Sequence, residues 1–66
     1  MTWDDSEDIA LALLQTHPDQ DPLKLSFPKL HRLVTELPGF ESPPESSNER
    51  ILETIQMAWH EEKKCL

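Results

Sequence analysis

Apolar residues in the last third of the chain recur at the spacing of one helix face. These apolar positions are Ile51, Leu52, Ile55 and Trp59. Polar residues take the opposite face, namely Glu49, Glu53, Gln56 and His60. Ser46 lies three residues before Glu49, which is the spacing of a capping box at a helix start. The pattern therefore predicts an amphipathic helix over about residues 47–63, with one face packed on a core.

A shorter helix is predicted near the start of the chain, over about residues 5–16. Asp4 can cap it, and Glu7 then lies near the positive end of the helix dipole. The inner face is predicted to comprise Ile9, Ala12, Leu13 and Thr16. Pro18 ends this helix, because the residue before a proline is disfavoured in the helical conformation.

The middle of the chain changes from alternating to helical periodicity. Apolar and polar residues alternate from Leu23 to Phe27, which predicts a short strand or extended segment near residues 23–27. Pro28 suits the first turn of a second helix over about residues 28–37. The apolar stripe of that helix is Leu30, Leu33, Val34 and Leu37. Gly39 can take the left-handed conformation that often ends a helix.

The remaining segments are predicted to be irregular. Two prolines and no apolar residue make residues 41–46 a loop, and residues 64–66 a frayed tail. Three helices with short connections, and at most one short strand or extended segment, predict a mainly α protein. The arrangement is typical of a helix-turn-helix or winged-helix-like domain. We expect a single domain over residues 1–66.

Length and cysteine content limit how such a domain is stabilised. A chain of 66 residues buries only about 60% of its unfolded surface, so large cavities are not expected. Cys65 is the single cysteine, which leaves no partner for a disulfide and no zinc-binding set. There is no apolar run of about 18 residues and no signal-peptide pattern near the start. A cytoplasmic protein with no membrane contact is the default expectation.

The net charge of the chain limits the kinds of molecule that it is expected to bind. Thirteen acidic residues against six basic ones give a net charge of -7. Nucleic acid is then a poor partner, because phosphate binding depends on lysine and arginine. An acidic surface attracts cations and basic protein patches. The alternative is that the acidity serves only solubility.

Several short motifs, taken in order, resemble one known family. They are Trp3 before an acidic helix start, Pro18-Asp19-Gln20-Asp21-Pro22, Phe27 with Leu30-His31, Leu37-Pro38-Gly39-Phe40, and Ser47-Asn48-Glu49-Arg50-Ile51-Leu52-Glu53 ending at Trp59. Each motif is short, but their order and spacing from Trp3 to about Glu62 are specific. The chain resembles the IscX family, small acidic proteins of bacterial iron–sulfur cluster assembly.

The resemblance implies a modified winged-helix domain that is monomeric and not an enzyme. Family members bind iron weakly through surface carboxylates and have no tightly bound cofactor. They dock on the cysteine desulfurase IscS at a site overlapping that of bacterial frataxin. One departure concerns the loop after Phe40, where the family often has consecutive aspartates. Here the stretch directly after Phe40, Glu41-Ser42-Pro43, has only one carboxylate, which weakens any metal role for this loop.

Candidate iron ligands form two groups of carboxylates. Iron(II) suits carboxylate and water ligands, and weak binding of ferrous or ferric iron needs only two or three of them close together. The candidates at the start of the first helix are Asp4, Asp5, Glu7 and Asp8, and those at its far end are Asp19 and Asp21. The alternative is that these residues are helix caps and a solvated face, because helix starts are rich in carboxylates.

Candidate partner-binding residues lie on the other two helices. Glu49, Glu53 and His60 share an exposed stripe of the last helix, and His31 lies on the second. The alternatives are a simple surface role for His60 and, for His31, a hydrogen bond to a neighbouring turn. Cys65 near the chain end is expected to be an inert, exposed thiol. No catalytic residues are predicted, since the chain has no Ser-His-Asp set and no glycine-rich loop.

Three functions remain open from the sequence. The first is an iron-binding adaptor that docks on a cysteine desulfurase through its acidic surface. The second is a protein-interaction domain with no metal function. The third, a helix-turn-helix DNA-binding regulator, would need a basic recognition helix, yet the last helix has only Arg50 before its final turn.

Overall fold

The computed structural model describes residues 1–64, which form three α-helices. These are α1 (Ser6–Thr16), α2 (Phe27–Thr35) and α3 (Glu49–Lys64), with 3₁₀ turns at Pro22–Lys24 and Pro44–Ser46. No strand occurs in the described chain. The predicted mainly α class is confirmed, whereas the winged-helix arrangement stays a prediction. Lys64 ends α3, and the rest of the predicted tail, including Cys65, lies outside the described residues.

The core lies between α1 and α3, which form the main packing pair, and α2 closes it. The largest fully buried side chains are Trp59, Ile9, Leu13, Leu30, Ile55, Val34 and Pro22. Trp3 is also buried, although it precedes the first helix. Each helix therefore contributes one apolar face to the core.

The buried face of α1 is rotated from the predicted one. Ala10 is fully buried in place of Ala12, which is only partly covered. Thr16 is exposed, and its hydroxyl donates to the Ala12 carbonyl oxygen at 2.8 Å. That bond uses the hydroxyl locally, so the last turn of α1 needs no cover from another helix.

The predicted cap of α1 is also wrong. The residue before the helix is Asp5, and it makes no side-chain cap bond. Its carboxylate instead accepts the Thr2 N–H at 2.9 Å, which ties it to the preceding turn. Asp4 lies exposed within that turn.

The third helix begins at a different cap from the predicted Ser46. The Asn48 side-chain oxygen accepts the Ile51 N–H at 2.9 Å, and the helix starts at Glu49. Ser46 ends the preceding 3₁₀ turn, where its N–H donates to the Pro43 carbonyl oxygen at 3.1 Å. That turn separates Ser46 from the helix, so the capping-box prediction was wrong.

Replacing Asn48 with alanine is expected to lower the free energy of unfolding by about 1 kcal/mol, because it leaves a helix-start N–H without its partner. Urea denaturation followed by circular dichroism measures the loss. Ser46→Ala is the matched control and should change stability little. A larger loss in Ser46→Ala than in Asn48→Ala would contradict the observed cap.

The segment near residues 23–27 contains no strand, contrary to one of the predicted alternatives. Residues 22–24 form the 3₁₀ turn, and only Leu25 and Ser26 are extended. Leu23 is 51% exposed whereas Leu25 is buried. The turn forms because the Asp21 carboxylate accepts the Leu23 N–H at 3.0 Å. The Gln56 amide of α3 also donates to the Pro22 carbonyl oxygen at 2.8 Å, which fixes the turn on the core.

The second helix ends at Thr35, two residues before the predicted end at 37. Gly39 is therefore not a helix cap. It lies in the turn that the Phe40 N–H closes on the Leu37 carbonyl oxygen at 3.2 Å, and its φ is +83°. Pro38 and Gly39 are the two central residues of that turn, and a glycine with positive φ suits the second of these positions.

Candidate functional site

The densest group of carboxylates surrounds the start of α1. Four of them line one shallow depression together with Ser6, namely Asp4, Asp5, Glu7 and Asp8, and we call these four the α1 acidic cluster. Asp5 is partly buried, and the other three are exposed. The first 23 residues contain no lysine or arginine that would neutralise them. Negative charge is favourable here, because it faces the positive end of the α1 dipole.

Trp3 holds the chain immediately before the α1 acidic cluster. Its indole N–H donates to the Pro43 carbonyl oxygen at 2.8 Å. Its ring stacks on His31, with centroids 5.3 Å apart, and packs edge-to-face with Phe40, with centroids 4.8 Å apart. These contacts attach the start of the chain to α2 and to the loop before α3. They therefore fix the position of the backbone from which the α1 acidic cluster follows.

Asp19 and Asp21 lie too far away to complete the same site. They follow the far end of α1, whose 11 residues rise about 16 Å. Asp21 lines a separate depression with Pro22, His60, Lys63 and Lys64. Lys63 also donates to the Gln20 carbonyl oxygen at 2.6 Å, which brings its positive charge to this turn. The surface near Asp21 is therefore of mixed charge.

The start of α3 extends the α1 acidic cluster. Asp4 lines one depression with Arg50 and Thr54, and these two residues line a second one with Glu53 and Met57. Arg50 and Thr54 therefore connect the depression that holds Asp4 to the one that holds Glu53, and Glu49 is exposed in the first turn of the same helix. Arg50 and Thr54 were not predicted from the sequence because one is basic and the other is uncharged, although both lie on a stripe with Glu53 and Met57.

The two candidate histidines have different surroundings. A ring nitrogen of His31 lies 2.7 Å from the Pro44 carbonyl oxygen and donates to it, while the ring stacks on Trp3. This is the predicted alternative of a histidine bonded to a neighbouring turn, and it gives His31 a structural role. His60 is partly buried beside Asp21 and the lysines at the end of α3. A partner-binding role for either residue stays a prediction.

The carboxylates suit a loosely held cation better than a resident metal. Within residues 1–64 no three His, Cys, Asp or Glu side chains converge as a metal-binding group. Asp5 is also engaged by the Thr2 N–H. Exposed carboxylates are suitable donors for iron, but a closed coordination shell is not built.

None of the helices described over residues 1–64 has both the length and the apolar character needed to cross a membrane.

Comparison with known proteins finds matches that extend over nearly the whole chain. The profile of a family described as iron-sulphur cluster assembly matches residues 1–64. An uncharacterized protein of Pseudomonas aeruginosa is 43% identical over 63 residues, which cover 96% of each chain. The family match includes the α1 acidic cluster and all three helices.

Proposed function

The chain belongs to the IscX family of iron–sulfur cluster assembly proteins, and we propose that it is an adaptor that docks on the cysteine desulfurase IscS through its acidic surface. In this proposal it regulates the desulfurase, competes there with bacterial frataxin, binds iron weakly, and catalyses no reaction itself. It acts as a cytoplasmic monomer and binds no nucleic acid.

The α1 acidic cluster is the observation that carries the proposal. Four carboxylates border one depression, and the first 23 residues contain no lysine or arginine. Such a surface attracts a basic patch over a distance and speeds the encounter with it. Glu53 near the cluster and Glu49 at the start of α3 extend the negative surface toward a second helix. The partner is therefore expected to bring lysine and arginine to the α1–α3 side of the protein.

Weak iron binding is assigned to the same cluster. Asp4, Glu7 and Asp8 are exposed, and their side chains accept no hydrogen bond from the rest of the described chain. They are thus free to share a hydrated ion. Asp21 is a weaker candidate, because it caps the Pro22–Lys24 turn and lies near Lys63 and Lys64.

Backbone NMR during an anaerobic titration with iron(II) tests this assignment. Paramagnetic iron should broaden amide signals of residues 4–8 first, and Glu7→Gln/Asp8→Asn should abolish that broadening. The control variant Glu45→Gln/Glu61→Gln removes two exposed carboxylates elsewhere and should leave the broadening in place. Broadening that begins at residues 19–21, or none at a large excess of iron, would contradict the assignment.

A second candidate is a metal-independent interaction domain. It is supported by the lack of a converging metal-binding group within the described chain. The same titration separates the two functions when the desulfurase is added after the iron. Signal changes at residues 4–8 that appear only with the desulfurase, and not with iron alone, would favour the second candidate.

A further inference from the structure

Half of the lysines and arginines of this acidic chain lie in one segment that has no carboxylate. Between Asp21 and Glu36 there is no carboxylate, yet Lys24, Lys29 and Arg32 lie there. They are three of the six basic residues in a chain of net charge -7. Charge is therefore separated along the chain, with the α1 acidic cluster in one part and a basic segment around α2 in another.

Helix α2 presents two of these residues on its outer face. Lys29, Arg32 and Glu36 follow one stripe at spacings of three and four residues. Leu30 and Val34 are fully buried on the other side. A shallow groove runs along the outer face, and it is lined by Pro28, Lys29, Arg32, Leu33 and Glu36. We call it the α2 groove.

The basic side chains of the α2 groove make few ion pairs or hydrogen bonds within residues 1–64. In the described part of the chain, Arg32 has one ion pair, with Glu36 at 3.8 Å, and both side chains are more than half exposed. Such exposed pairs on one helix are weak and are easily exchanged for another carboxylate. Lys29 is exposed and has no ion pair or side-chain hydrogen bond within residues 1–64. Pro28 and the partly buried Leu33 give the groove an apolar part.

We propose that the α2 groove binds an acidic segment of a partner protein that carries an apolar side chain next to its carboxylates. Lys29 and Arg32 take the carboxylates, and Pro28 and Leu33 contact the apolar side chain. The apolar part of the groove fits a peptide better than a nucleic acid, because Pro28 and Leu33 can contact an apolar side chain whereas a phosphate backbone offers none. A second copy of this chain is disfavoured as the occupant, because two whole chains of charge -7 repel each other.

The α2 groove shares no residue with the α1 acidic cluster. The chain can therefore hold a basic surface and an acidic segment at the same time, which goes beyond docking on one partner. Binding of an acidic segment depends only on the charge and shape of α2, and it is independent of the proposed function.

The test is an NMR titration of the full chain with a synthetic peptide of repeated Glu-Glu-Leu units. Amide shifts are expected at residues 28–36. Lys29→Glu and Arg32→Glu should each raise the dissociation constant for the peptide about tenfold, because a close charge pair is replaced by repulsion. Arg50→Glu makes the same change of net charge outside the groove and should leave the affinity nearly unchanged.

Three results would overturn the inference. Shifts spread over all lysines and arginines, or equal competition by a single-stranded DNA oligonucleotide of the same charge, would show only a general response to anions. Shifts at residues 28–36 that grow with protein concentration without peptide would mean that a second copy fills the groove. No shift at a large excess of peptide would mean that the groove binds no acidic segment.

Discussion

Replacing Trp59 with alanine is expected to lower the free energy of unfolding by about 3 to 5 kcal/mol. Trp59 is on α3 and is the largest of the fully buried side chains. A domain of 66 residues has a total stability of about 3 to 10 kcal/mol. The substitution therefore removes much of the stability, and the variant is expected to be largely unfolded at moderate urea concentrations.

Urea denaturation followed by far-ultraviolet circular dichroism measures this loss. Met57→Ala is the matched control, because Met57 lies on the same helix but is 45% exposed. Its effect should be about 0.5 kcal/mol or less. Trp59→Phe should cost less than Trp59→Ala, since it keeps an aromatic ring and removes an indole N–H that has no partner within residues 1–64. Equal losses in Met57→Ala and Trp59→Ala would contradict the assigned core.

Reversing charge in the α1 acidic cluster is expected to weaken binding to the cysteine desulfurase about tenfold or more, since close interfacial charge pairs each couple by more than about 1.5 kcal/mol. Glu7→Lys/Asp8→Lys is the suitable variant, because both side chains are exposed and neither makes a hydrogen bond within the described chain. Asp5 is left intact, as its carboxylate holds the Thr2 N–H. Isothermal titration calorimetry with purified desulfurase gives the affinity.

The control for this prediction is Glu45→Lys/Glu61→Lys, which changes the net charge equally at two exposed positions outside the cluster. It should weaken binding only slightly. Thermal unfolding of both variants checks that the fold persists, since lysine in the first turn of α1 opposes the helix dipole. Equal weakening by both variants would mean that net charge, and not the α1 acidic cluster, sets the affinity.

Local patterns predicted the three helices and most of the core. Ile9, Leu13, Leu30 and Val34 are fully buried as their helical spacing indicated. The errors at the helix caps arose from competing local bonds, since Asp5 accepts the Thr2 N–H and Asn48 accepts the Ile51 N–H. A distant residue contributes to the error near residues 23–27. The Asp21 carboxylate caps the turn at Pro22 locally, but Gln56, 34 residues away, fixes the turn on the core, and alternation of apolar residues carries no information about such a contact.

The sequence was enough to predict which carboxylates form the candidate site, but not which residues of α3 lie around it. The run of Asp4, Asp5, Glu7 and Asp8 is visible in the sequence, and it forms one cluster. The sequence did not show that Glu53 comes near the cluster, because this depends on how α1 packs against α3. It also did not show that His31 is bonded to Pro44, because the stacking of Trp3 brings these elements together.

The most direct test of docking through the acidic surface is the dissociation constant of the chain and the cysteine desulfurase, measured as ionic strength rises. The ionic strengths used should shorten the Debye screening length from about 30 Å to about 3 Å. Affinity is expected to fall steeply over this range for the unmodified chain and much less for Glu7→Lys/Asp8→Lys, which has already lost the attraction. An affinity independent of salt, or the same salt dependence in both proteins, would contradict docking through the α1 acidic cluster.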